Sequence, residues 1–162
     1  MGKILSITVT LLLALSIMAG CNSAGCVENQ SSVPLAGFYS YTSGSAISID
    51  SVQIGGIGAP NDSLIVSKGS IRSVYLPFRP GRESTSFFIR YTNTEARGVT
   101  DTLTFEYNTI PYFASEDCGA LYRYYITGVS HTRWLLDSVA LLDPEVINVD
   151  LELIQLYYTT SR

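Results

Sequence analysis

One histidine, three cysteines and a scatter of carboxylates are the side chains in this 162-residue sequence that could do chemistry, and their spacing narrows what that chemistry is. His131 has no Gly-x-Ser-x-Gly elbow elsewhere in the chain to serve, so a Ser-His-Asp hydrolase would have to be assembled from unsignalled loop residues. Standing beside Thr132, it reads as a solvated turn residue. Asp101, Glu106, Glu116, Asp117, Asp143 and Glu145 could include an acid and base pair or a calcium site. None has calcium-loop spacing, so they read as solvated loop ends. Cys26 and Cys118 each lack a second cysteine or a histidine at ligand distance, which argues against a metal. Residues 55–62, Gly-Gly-Ile-Gly-Ala-Pro-Asn-Asp, have the glycines of a phosphate-cradling loop, but such a loop needs a helix directly behind it. Pro60 and a β-like Leu64-Ile65-Val66 follow instead, so the stretch is a turn. No catalytic residue, metal or cofactor is expected.

The remaining cysteine has a different setting. Residues 4–19 form an apolar run of sixteen, with Lys3 ahead of it and small residues behind, too short for a bilayer span and typical of a secretory signal. Met18-Ala19-Gly20-Cys21 resembles the lipobox of bacterial lipoproteins. The resemblance implies that residues 1–20 are removed and that Cys21 takes a diacylglycerol on its sulfur. In many Gram-negative bacteria the new amino terminus gains a third acyl chain. Each buried methylene contributes about 0.8 kcal/mol, and two or three chains make attachment lasting where one does not. Met1-Gly2-Lys3-Ile4-Leu5-Ser6 also fits an N-myristoylation pattern, but that reading leaves the apolar run unexplained. The expected partner is therefore a membrane, reached through the lipid on Cys21, with the protein in the cell envelope at the outer membrane, facing periplasm or surface. Loss of the signal takes the formal charge from −4 to −5. That acidic balance argues against nucleic acid and against adhesion to anionic lipid.

With Cys21 spent as a thioether, Cys26 and Cys118 remain, and two cysteines in an exported domain suggest one disulfide. Two unrelated buried thiols are the other reading. A bridge would close a loop of about ninety residues and contribute on the order of 4–5 kcal/mol by the chain-entropy account.

These residues need elements to carry them. Residues 21–33 are small and polar and read as a tether, with one domain expected over 34–162. From Pro34 the periodicity is two. Residues 35–42 and 46–55 read as strands, as do 70–78, where Pro77 marks the end. Arg79-Pro80-Gly81-Arg82 has the order of a type II turn. Residues 85–91 send Phe87, Ile89 and Tyr91 to one face. Residues 101–109 alternate Leu103, Phe105 and Tyr107 with polar neighbours. Residues 110–119 read as irregular, and 120–129 as a tyrosine-rich strand. The last strand is expected over Ile147, Val149, Leu151 and Leu153. Parity slips at Asp50-Ser51 and again at Asp137-Ser138, which predicts a β-bulge in each of two strands. About eight strands with regular turn signals, and no substantial helix outside the signal, predict an all-β fold, an antiparallel β-sandwich.

Eleven tyrosines and Trp134 are the compositional excess. Aromatic rings on a sheet face suit sugar rings or protein interfaces, which makes Tyr122, Tyr124 and Trp134 the candidate ligand-facing aromatics. The plainer account, favoured because about half of the tyrosines fall at core parity, is that aromatics favour strands and fill cores.

Several features together give a family resemblance. They are the lipobox cysteine with Cys26 close behind, Ile49-Asp50-Ser51-Val52 leading to Gly56-Ile57-Gly58, and Leu76-Pro77-Phe78. Asp101-Thr102-Leu103-Thr104-Phe105-Glu106-Tyr107 and Ser115-Glu116-Asp117-Cys118-Gly119 before a tyrosine-rich strand complete them. From Cys21 to about Asn148 the chain resembles uncharacterised lipoproteins of the Bacteroidota. The resemblance implies a β-sandwich of unknown function and carries over no catalytic residue. The expectation is a lipid-anchored envelope protein, a non-enzymatic binding or assembly module whose partner is an envelope protein. The alternative is a glycan-binding or glycan-active accessory lipoprotein.

Overall fold

The computed structural model describes residues 32–93 and 98–159. Ten strands follow in order: β1 (Leu35–Ser40), β2 (Ile49–Gly56), β3 (Leu64–Ile71), β4 (Ser73–Tyr75), β5 (Ser84–Tyr91), β6 (Thr100–Ser115), β7 (Gly119–His131), β8 (Leu136–Leu141), β9 (Glu145–Val146) and β10 (Glu152–Tyr158). Among the described residues the one helical piece is a single turn, Pro60–Asp62. Four strands form one sheet, ordered β4-β1-β10-β8, and six form the other, ordered β3-β2-β5-β6-β7-β9. The expected sandwich is present, with one departure from the all-antiparallel expectation. β1 and β10, the first and last strands, pair in parallel at the centre of the smaller sheet.

Alternation explains the core. Ala36 and Phe38 from β1, Ile154, Leu156 and Tyr158 from β10, and Leu136 from β8 line one inner face. Val52, Ile54, Phe87, Ile89, Leu103, Phe105, Tyr107, Tyr124 and Ile126 line the other. Odd residues of β6 point inward, so Thr102, Thr104 and Glu106 are left to the outer face, as a half-buried antiparallel sheet requires. Phe78, on the connection from β4 to β5, closes one end of this core. Its ring stacks on Tyr107 at 4.4 Å and meets Tyr124 edge-on at 5.4 Å. The Tyr107 hydroxyl fastens the same connection, accepting from the Arg79 N–H at 3.0 Å and donating to the Arg79 carbonyl at 3.1 Å.

Both predicted bulges are present. Between β2 and β3, Ile49 pairs with Ile71 and Val52 with Gly69, so β2 carries an extra residue at Asp50-Ser51. Ser51 takes a left-handed φ of 54°. Its carbonyl accepts from both the N–H and the hydroxyl of Thr92, each at 2.7 Å. In the other sheet, Tyr157 pairs with Ser138 and Tyr158 with Leu136, so Asp137 is the extra residue of β8.

Three expectations fail. Residues 70–78 are not one strand: β3 ends at Ile71, the chain bends at Arg72 and crosses, and β4 joins the opposite sheet. Residues 110–119 are not irregular but continue β6 and open β7 across a long hairpin. Pro111 is tolerated there because its partner across the ladder is Tyr122 on one side alone. The last strand lies at Glu152–Tyr158 rather than from 147, and Ile154, Leu156 and Tyr158 face inward while Val149 and Leu151 are exposed. The alternation of residues 147–153 is polar and apolar without being a strand throughout, because Asn148–Asp150 turns the chain.

Candidate functional site

Among the described residues Asp101 is the one fully buried charged side chain, with no exposed surface. It opens β6 on the same inward parity as Leu103 and Phe105. Oδ1 accepts from the Trp134 N–H and the Thr132 hydroxyl, each at 2.8 Å. Oδ2 accepts from the Leu135 N–H at 2.9 Å, the Leu136 N–H at 3.0 Å and the Tyr91 hydroxyl at 3.0 Å. Desolvation pushes this carboxyl up, but the N–H groups of Leu136, Trp134 and Leu135 and the Thr132 hydroxyl outweigh it, and the net position is below the usual carboxylate range. Four of the five bonds tie the start of β6 to the stretch by which the chain passes from β7 to β8, that is, from one sheet to the other, and the fifth comes from Tyr91 at the end of β5. Asp101 is a clamp and not a free acid or base.

The clamp shapes a cleft. Tyr91 and Leu135, both held by Asp101 or its neighbours, line a cleft of about 350 Å³ with Ile47, Ile49, Asp50 and Tyr158. The β2 bulge therefore sits at its edge. Tyr158 is 3% exposed and its hydroxyl makes no hydrogen bond among the described residues, although it lies beside the Tyr91 phenol. Burial raises the titration of both Tyr91 and Tyr158, so both are neutral at physiological pH. The cleft thus sets apolar Ile47, Ile49 and Leu135 beside polar Ser48, Asp50 and Asn93, with the Tyr158 hydroxyl buried behind its wall. A buried polar group left unmatched costs about 1–3 kcal/mol. Tyr158→Phe is accordingly expected to raise stability by about 1 kcal/mol in urea unfolding; a loss of stability would mean that the hydroxyl is already bonded.

A second polar array lies on the outer face of the four-stranded sheet. The Tyr39 hydroxyl donates to Glu152 Oε1 at 2.6 Å, and Gln155 Nε2 donates to the same oxygen at 3.1 Å. The Tyr157 hydroxyl donates to Gln155 Oε1 at 2.7 Å. The hydrogen bond to Glu152, then burial and the charge of Glu152, raise the Tyr39 phenol above its ordinary value. At the sheet edge, the Tyr75 hydroxyl bonds the Asp150 carboxylate.

The residues singled out from sequence are dispersed. Tyr124 is a correction: it is 1% exposed and belongs to the core, packed on Phe78 and Tyr107, because inward parity on β7 falls on Tyr124 and Ile126. Burial, with the Tyr107 and Tyr122 phenols adding to it, pushes its titration up to about 12. Tyr122 and Trp134 are exposed but sit at opposite ends of β7, roughly 30 Å or more apart at strand rise. His131 is not a solvated loop residue. It ends β7, half-buried, and its Nε2 lies 3.1 Å from the carbonyl of Asp137, the bulge residue of β8. Cys118 lies at the tip of the β6–β7 hairpin, its N–H donating to Ser115 Oγ at 3.0 Å. Cys21 and Cys26 lie outside the described residues. Among those residues no three His, Cys, Asp or Glu side chains gather as a metal site. The signal that would have found Asp101 was its shared parity with Leu103, Phe105 and Tyr107.

Fold and site together define the class: a two-sheet β-sandwich with a tightly bonded internal carboxylate and a polar, tyrosine-bearing outer face on its smaller sheet. Within that class, the chain belongs to the family of unknown function DUF6452, whose pattern matches residues 51–158. The match takes in Ser51 of the β2 bulge, the whole β8 bulge, Asp101 and all of β10. No curated protein and no solved structure matches the chain.

Proposed function

We propose that this protein is an exported, lipid-anchored module of the bacterial outer membrane that binds rather than catalyses. The observation that carries the binding role is the cleft beside Asp101, open between Ile47, Asp50, Asn93 and Leu135, while the nearby carboxylate is saturated by five donors. A saturated carboxylate neither takes nor gives a proton at neutral pH, so this arrangement suits holding a ligand. The anchor is read from Met18-Ala19-Gly20-Cys21 and the apolar run before it, and the Bacteroidota origin from the motifs shared with that group's lipoproteins. In this reading residues 1–20 are the signal, 21–33 the lipidated tether and 34–162 the domain.

The reading includes a Cys26–Cys118 disulfide, supported by Cys118 not being a free thiol. Five virtual bonds from Cys21 to Cys26 reach at most roughly 18 Å, so a bridge would keep the hairpin tip near the lipid. The cleft lies at the Asp101 end of β6, roughly 45 Å along the strand from that tip, and would face away from the membrane.

Palmitate labelling tests the anchor. Cys21→Ala is expected to leave unprocessed precursor with no lipid label, and undiminished label on that variant would end the lipoprotein reading. The alternative of a glycan as the ligand is favoured by the tyrosine and carboxylate array on the smaller sheet.

A further inference from the structure

We infer that the outer face of the four-stranded sheet is a platform for a neutral glycan, with the Tyr39 and Tyr157 rings as its stacking surface and Glu152 as its hydroxyl acceptor. This rests on the reading of the chain as a binding module and adds the ligand class and the face that takes it.

A pyranose presents a face of C–H groups and a rim of hydroxyls. It is held by aromatic rings together with rigid acceptors and donors that match vicinal hydroxyls. The parallel register of β1 and β10 supplies the rings, since it sets Tyr39 opposite Tyr157 with centroids 5.6 Å apart. It also sets Gly37 opposite Gln155. That glycine is what lets the acceptor lie down on the sheet: a Cβ at position 37 would stand 2.0 Å from Glu152 Oε2. Oε1 of Glu152 is fixed by Tyr39 and Gln155, and among the described residues Oε2 receives no hydrogen bond. One oxygen is therefore tethered by two donors and the other rests over Gly37 with no donor of its own.

The residues in line with Gly37 beneath this carboxylate are small or polar. Across the strands, the outer-face row through Gly37 holds Ser73 on β4, Gln155 on β10 and Ala140 on β8. Tyr75 stands opposite Leu35, one side of that row, and Tyr39 stands on the other. Four residues of strand separate the two phenol rows, about 13 Å, and Glu152 and Gln155 cross that strip, so a sugar would rest on top of them against the Tyr39 and Tyr157 rings. Glu152 and Asp150 on this face, in a chain of net charge −4, select against acidic glycans.

The mature lipoprotein in detergent micelles, titrated calorimetrically with maltohexaose, cellohexaose and chitohexaose, tests this, with hexagalacturonate as the acidic probe. At least one neutral hexasaccharide is expected to bind. Tyr157→Ala and Glu152→Gln should each weaken it tenfold or more, whereas Tyr157→Phe, which keeps the ring, should stay within about threefold. A network that only pinned β10 to β1 would move the urea midpoint in these variants and have no sugar affinity to lose. Absence of binding by all three neutral sugars, affinity unchanged in both weakening variants, or hexagalacturonate binding as tightly as the neutral sugars would each overturn the proposal. Lipid labelling is read separately, so failure here is distinct from failure of the anchor.

Discussion

Asp101→Asn is expected to lower the unfolding free energy by about 3–5 kcal/mol, the cost typical of leaving buried charge-assisted partners unmatched. The substitution keeps the shape of the side chain and reverses part of its bonding. An asparagine carbonyl can still accept from the Trp134 N–H and the Thr132 hydroxyl, but its amide then faces the N–H groups of Leu135 and Leu136, donor against donor. Tyr91→Phe, which removes one of the five bonds, should cost only about 1 kcal/mol. The pH dependence separates the clamp from simple packing. The folded carboxyl sits below its unfolded value, so its contribution is fully present above the unfolded value near pH 4 and is lost as pH falls through the folded one. Urea unfolding of the wild type should therefore weaken below about pH 4, and Asp101→Asn should lose that part of the acid slope. A loss under 1 kcal/mol at neutral pH, with the slope intact, would sink the clamp.

Phe78→Ala should cost a similar amount, about 3–5 kcal/mol, for a different reason. The ring is 6% exposed and contacts three core aromatics, with centroids 5.3 Å from Phe105, 4.4 Å from Tyr107 and 5.4 Å from Tyr124. Those three rings belong to one sheet and cannot close over the gap without moving strands that pair along their whole length. A cavity therefore persists, and water reaches the buried phenol beside it. Burial is the main reason that Tyr124 titrates near 12, so its ultraviolet titration should move down toward 10 in the variant. A small loss of stability with the titration unmoved would show that the end of the sandwich collapses around the deletion.

Strand identity was legible wherever one face is dry and the other wet. β6 is the plainest case, since Leu103, Phe105 and Tyr107 alternate with Thr102, Thr104 and Glu106. The bulges were legible too, because an extra residue must reverse parity and both reversals appear as Ile-Asp-Ser-Val or Leu-Asp-Ser-Val. What failed was set by partners rather than by pattern. Ser73–Tyr75 looks continuous with β3, yet it belongs to the opposite sheet because β1 offers it an edge. Residues 147–153 alternate as a strand would, but the ladder with β1 selects the parity of Ile154, Leu156 and Tyr158. The site was less legible still. Asp101 reads as one more acidic residue, and only the N–H groups of a connection thirty-odd positions away make it a clamp. Glu152 and Tyr39 are 113 residues apart, so no local spacing could have joined them.

The parallel pairing of β1 with β10 also fixes the order in which the molecule can be made. Until Glu152–Tyr158 has emerged, β1 and β8 have no shared neighbour, and half of the inner wall is missing. An incomplete chain therefore holds the six-stranded sheet with its apolar face uncovered, and closure of a loop of more than a hundred residues is the last and slowest step. If the chain is exported as proposed above, that delay would be useful: the chain would stay extended during passage and lock only when its final strand arrives. Removal of β10 alone should leave a product that added protease degrades readily rather than a shorter domain.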